Sequence, residues 1–304
     1  MGWIDAAPRC SKQWIRTGAD LDLFYCRGKA DRPLTVVTAG VHGDEYEGPA
    51  AIAELADLLN PEQMEGSVIA VPVANPYAFQ AATRNTPDDG LNLARVFPGD
   101  ASGSVTQKLA AHLFELIDGR ADHLIDLHSG GVEYVFHPLA GFYGPPDEGN
   151  ASYQAARRSG LPVLWQLPET PGVLSREAWR RGITAVGAEY LGAGQLARTG
   201  VDAYVAAVLS CLAFWGTLPQ HEPFAPGGEV LRGDWQLART AGIFHSCIPV
   251  GTRLTAGQEI AQIRDIRGSV LERFAAPHDG ILLALRSKAY IREGAWGVLV
   301  ATNA

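Results

Sequence analysis

Apolar and polar positions along residues 20–215 repeat with two different periods. LTVVTA (34–39) is apolar almost without interruption, which predicts a strand buried on both faces, because a half-solvated strand would alternate. LDLFYCRG (21–28), SVIAVPVAN (67–75), ADHLIDLHSG (121–130) and GITAVGAEYLG (182–192) read as further strands. Between them, PAAIAELADLLN (49–60) and SVTQKLAAHLFELID (104–118) carry apolar residues at helical spacing. Pro49 sits early in the first, where a missing N–H costs little, and Ser104 opens the second. VDAYVAAVLSCLAFWG (201–216) reads as a buried helix. Strands alternating with helices predict an α/β fold with a mixed, mainly parallel sheet flanked by helices.

The pattern changes near HEPFAPGGE (221–229). Downstream, short β-like runs such as IFHSCIPV, EIAQIRDI, RFAAPHDGILLALRS and GVLVAT are separated by Gly, Pro and charged turns. The expected organisation is an α/β domain over 1–220 and a small C-terminal all-β domain over 221–304. The latter is similar to a barrel-sandwich hybrid. Lys288 lacks the flanking residues of a carrier lysine, so pocket cover or oligomerisation is the expected role of this part.

A chain of 304 residues, 47% apolar, can bury a full core. Its formal charge of −8 argues against nucleic acid or an anionic membrane surface as partner and leaves small molecules. Cys10, Cys26, Cys211 and Cys247 show neither CxxC nor Cys/His spacing, so reduced core cysteines are expected. No basic leader precedes an apolar run, and no window approaches the roughly 18 apolar residues of a membrane span. The expected location is the cytoplasm; a homo-oligomer remains open.

The chemistry-bearing residues follow the buried strands. In GVHGDEYEG (40–48), His42 and Glu45 sit three apart, just past the end of a strand and before a helix, where open α/β sheets bind ligands. Catalytic zinc takes imidazole and carboxylate, with three protein ligands and a fourth position for water. His128 in DLHSG, at a corresponding strand end, is the candidate third ligand, and Asp126 points to the same side of the strand as its orienting acceptor. His137, nine residues beyond, is a candidate for the same pocket. A solvated loop explains either motif alone and competes with the metal reading of the pair.

GVHGDEYEG, NPYAF, TRNTPDDGLNLARVFPG, DLHSGG and ITAVGAEYLGAG, in this order, resemble the succinylglutamate desuccinylase/aspartoacylase family, a branch of the zinc carboxypeptidase-like fold. The subgroup they look closest to is the N-acetyl-diaminobutyrate deacetylase type. The resemblance implies one Zn2+ per chain on His42, Glu45 and His128, with Arg84 polarising the scissile carbonyl and Glu189 as general base. It places Arg95 on a substrate carboxylate, with Asn92 beside it; Tyr290, from the β-rich tail, is a further substrate-binding candidate. The implied reaction is deacylation of a small N-acyl amino acid or N-acyl amine. A metallocarboxypeptidase or esterase, and a non-catalytic small-molecule binding protein, are the alternatives. One departure stands out: the family's NLNR reads NLAR here, so Ala94 replaces an asparagine that helps hold the carboxylate.

Overall fold

The computed structural model describes residues 7–219 and 228–303; the boundary expected at 220/221, and His221, lie outside them. The strands are β1 (Ser11–Arg16), β2 (Asp22–Arg27), β3 (Leu34–Thr38), β4 (Ser67–Val71), β5 (His123–His128), β6 (Tyr134–Phe142), β7 (Val163–Gln166), β8 (Thr184–Gly192), β9 (Glu229–Leu237), β10 (Gly242–Ser246), β11 (Arg253–Leu254), β12 (Glu259–Arg264), β13 (Val270–Ala275), β14 (Gly280–Arg286), β15 (Tyr290–Ile291) and β16 (Trp296–Asn303). The α-helices are α1 (Glu47–Leu58), α2 (Pro76–Ala81), α3 (Val105–Phe114), α4 (Ala151–Arg158), α5 (Leu174–Trp179) and α6 (Arg198–Phe214).

Every residue of β3 and β4 is buried, as their unbroken apolar runs require of strands covered on both sides. With β5 and β8 they form the parallel run β4-β3-β5-β8. One face carries α1, α4 and α6, which bury Ile52, Leu55, Ala155, Tyr204 and Val208. The other carries α3 and α5, with Leu109, Leu113 and Leu174 inside. Helix α3 starts where Ser104 predicts, because Ser104 and Gln107 satisfy each other's backbone N–H in a capping box.

The sheet is mixed rather than mainly parallel. Strands β1 and β2 join as an antiparallel edge, and β6 runs antiparallel to β8. The apolar pattern does not mark β6, because His137 and Pro138 interrupt it. A register shift between Phe136 and Leu139 absorbs the proline, which cannot donate to the ladder.

Residues 229–303 form strands and no α-helix. They continue the same sheet: β9 adds parallel to β7, then β16 and β14 follow antiparallel, and β14 pairs back onto β6. The run β6-β7-β9-β16-β14 therefore closes into a ring. A four-stranded sheet, β13-β12-β10-β15, packs through Phe244, Ile260, Ile263, Phe274 and Ile291 onto Leu282 and Val298 of that ring. Cys26 and Cys211 are buried, but Cys10 and Cys247 are exposed, which corrects the expectation of core positions for all four. Among the described residues no helix is long and apolar enough to cross a membrane.

Candidate metal centre and active-site cavity

Parallel pairing brings distant motifs to one edge of the sheet. Thr38, the last residue of β3, registers with Asp126 on β5, and His128, the last residue of β5, registers with Glu189 on β8. The loop leaving β3 carries His42 and Glu45, so all of these residues meet at the carboxyl ends of parallel strands, where such sheets place ligands. Glu45 is the hub. Its Oε1 lies 2.7 Å from His42 Nδ1, and its Oε2 lies 3.0 Å from His128 Nδ1 and accepts the Ser129 N–H at 3.2 Å.

One donor atom each from His42, Glu45 and His128 lies within 4.8 Å of the others. Ligands 2.0–2.2 Å from a tetrahedral zinc are separated by about 3.3–3.6 Å, so the three fit such an ion with small rotations. The outer ring atoms are also committed. His42 Nε2 faces Asn92 Oδ1 at 3.1 Å, and His128 Nε2 faces Asp126 Oδ2 at 3.1 Å. Asp126 is itself fixed by the Thr38 hydroxyl at 2.7 Å. Each Nδ1 also faces a Glu45 oxygen, so the acceptors at Nε2 would hold the N–H there once a cation takes the place of a proton at Nδ1. Asp126→Asn is expected to weaken zinc binding about 10–100-fold in competition with a chelator; unchanged affinity would remove Asp126 from that role.

The charges are mutually set. Burial works against ionised Glu45, yet His42 and His128 outweigh it and hold the carboxyl far below its usual range. Burial also opposes a charged His128, but Asp126 and Glu45 together hold it well above its ordinary value. For His42 burial wins, and its value falls.

The other acids of GDEYE are fasteners. Asp44 Oδ2 accepts the Val132 N–H at 2.8 Å, tying the ligand loop to the segment after β5. Glu47 Oε1 accepts the Ala197 N–H at 3.3 Å, just before α6. Gly131 adopts φ +54°, and a side chain there would collide with the Asp44 carboxylate. Buried acids beside a glycine-rich turn give this tie no unique sequence signal.

His42, His128, Glu189, Arg84 and Arg95 line one cavity of about 280 Å3. Glu189 Oε2 is buried with no hydrogen-bond partner, and burial pushes the carboxyl up to about 8. Arg84 Nη1 donates to Glu45 Oε1 at 3.3 Å. Arg95 Nη1 donates to the Ala94 carbonyl at 2.7 Å, and among the described residues no carboxylate pairs with Arg95. Burial, and then Arg84, lower the Arg95 value. Ala94 lines the cavity beside it.

Three further candidates do not line the cavity. Tyr290 is 56% exposed on β15, held by pairing with β10, and does not line the cavity. The Asn92 side-chain oxygen accepts the Ala94 N–H and faces His42 Nε2 at 3.1 Å, which sets Asn92 beside the candidate ligand His42. His137 does not line the cavity either. The sequence pattern also leaves unmarked an aromatic wall supplied by β6, β7, β9 and β16, since no spacing links residues brought together only by ring closure.

A family model described as the succinylglutamate desuccinylase/aspartoacylase catalytic domain matches residues 31–215. The N-alpha-acetyl-L-2,4-diaminobutyric acid deacetylase of Halomonas elongata is 29% identical over 279 residues, covering 88% of this chain and 81% of that protein. The product-bound ectoine utilization protein EutE (DoeB) from Ruegeria pomeroyi superposes with a TM-score of 0.86 at 25% identity, over 96% of this chain and 93% of that one. A succinylglutamate desuccinylase/aspartoacylase from Rhodobacter sphaeroides gives 0.86 at 26% identity, over 96% of both chains.

Proposed function

Because the chain belongs to the succinylglutamate desuccinylase/aspartoacylase family, we propose that it is a zinc-dependent deacylase that hydrolyses the amide of a small N-acyl amino acid or related N-acyl amine. The observation that carries this reading is the clustering of His42, Glu45 and His128 beside a cavity that His42 and His128 line together with two arginines and Glu189, whose Oε2 has no partner among the described residues.

When bound, zinc lowers the pKa of a water to about 7 and polarises a carbonyl. Glu189, whose ionised form a bound cation would favour against burial, takes the proton of the attacking water and delivers it to the amide nitrogen as the C–N bond breaks, giving a carboxylate and an amine. Arg84 stays charged throughout and donates to the carbonyl oxygen as negative charge develops there. Arg95, with no carboxylate to neutralise it among the described residues, receives the carboxylate of the amino-acid part. Burial keeps that ion pair out of bulk water, which strengthens it. Asn92 and Asp126 hold the imidazoles in the tautomers the ion requires.

The test is metal analysis with a hydrolysis panel that includes Nα-acetyl-2,4-diaminobutyrate, the compound for which the Halomonas elongata relative is named. The expected result is one zinc per chain and a kcat/KM for N-acyl amino acids at least about tenfold above that for peptides. Preference for peptides would favour a carboxypeptidase. Neither metal nor turnover would favour a binding protein.

A further inference from the structure

The polar groups account for only part of the cavity wall. Tyr134 and Phe136 from β6, Trp165 from β7, Trp235 from β9 and Trp296 from β16 supply an aromatic part of it. Trp235 and Trp296 stack with centroids 5.0 Å apart and planes 11° from parallel. Tyr134 lies 5.3 and 5.8 Å from them, and Phe136 meets Trp235 edge-on at 6.0 Å. Trp296 remains 37% exposed, so the wall presents flat apolar surface to whatever enters. Covering such surface is favourable, and an aromatic ring gains stacking as well.

An aromatic wall also attracts ammonium groups, so the charges around it decide the occupant. The Arg286 guanidinium sits over Tyr134 at 5.9 Å and is paired with Glu133 at 3.5 Å, while Arg84, Arg95 and Asp234 line the cavity. A neutral flat group needs no counter-charge from this wall, and Arg84 and Arg95 take the carboxylate of the same molecule.

We propose that the substrate carries, besides its carboxylate, an aromatic or similarly flat apolar group that packs against Trp235, Trp296 and Tyr134. This rests on the deacylase reading and narrows its substrate class. The group can belong to the acyl part or to the amine part. N-benzoylglycine and N-acetyl-L-phenylalanine separate these sources, with N-acetylglycine as the reference.

The zinc-loaded protein is titrated with each compound, following tryptophan fluorescence for binding and released amine for hydrolysis. At least one aromatic compound is expected to bind, and to be hydrolysed with a kcat/KM, at least about tenfold better than N-acetylglycine. A margin for either compound supports the proposal and assigns the group to that side. Trp235→Leu and Trp296→Leu should each bring the aromatic-to-acetylglycine ratio down toward one. No margin for either aromatic compound, with N-acetylglycine still hydrolysed, overturns the proposal and leaves the deacylase reading intact. Hydrolysis of none of the three, with Nα-acetyl-2,4-diaminobutyrate still cleaved, overturns this proposal alone; no turnover on any of these compounds overturns the deacylase reading, and this proposal with it.

Discussion

Glu189→Gln is expected to keep zinc at wild-type stoichiometry and lower kcat by about 10²–10⁴-fold, the contribution of one general acid–base group. The side chain lies across from His128 in the β5–β8 pairing and lines the cavity, but it makes no hydrogen bond through Oε2. Glutamine preserves its shape and burial while removing its capacity to accept and return a proton. A buried carboxyl pushed up to about 8 is costly to ionise, and no internal donor compensates at Oε2, so its presence is better explained by chemistry than by stability. KM should change little, because the mechanism assigns substrate binding to Arg95 and the wall. Near-normal kcat, with metal retained, would remove Glu189 from the proton-transfer role.

Stripping the metal is the second large perturbation. Dialysis against a chelator should abolish turnover, and stoichiometric zinc should restore it. Glu45→Ala is expected to prevent that restoration and to weaken zinc binding more than Asp126→Asn does. Glu45 is the proposed oxygen ligand and is also the anion that both imidazoles, the Ser129 amide and Arg84 face. Without it, His42 and His128 face each other with ring centroids 5.3 Å apart and no negative charge between them. Removing one partner from a buried charge network leaves the others uncompensated, so thermal stability should fall as well. Zinc-restored activity in Glu45→Ala would show that the cluster does not hold the catalytic ion.

The parallel run of the sheet is legible in sequence because LTVVT and SVIAV are apolar on both faces, a pattern few other environments produce. The same logic places His42, Glu45 and His128, since each follows such a run. Strand β6 is hidden because His137 and Pro138 break the periodicity that a strand needs to be seen. Its pairing with β14 joins residues 134–136 to 284–286, a contact that no local pattern encodes. Polar roles are harder still. Asp44, Glu45 and Glu47 differ in function by partner alone: Asp44 and Glu47 meet backbone amides, and Glu45 meets both imidazoles. Asn92 was expected beside the substrate, yet its oxygen is oriented by the Ala94 amide toward His42. Tyr290 depends on a two-residue pairing with β10, which fixes it away from the cavity.

The return of β14 to β6 has a practical corollary for anyone trimming this polypeptide. A fragment ending at residue 220 would retain every candidate ligand and both arginines yet lose Trp235 and Trp296, and the hydrogen-bonding rim of β7 that β9 covers would be laid bare. Uncapped rims of that kind recruit other chains. The smallest workable enzyme therefore includes the last strand, and its hydrolytic centre has no severable half.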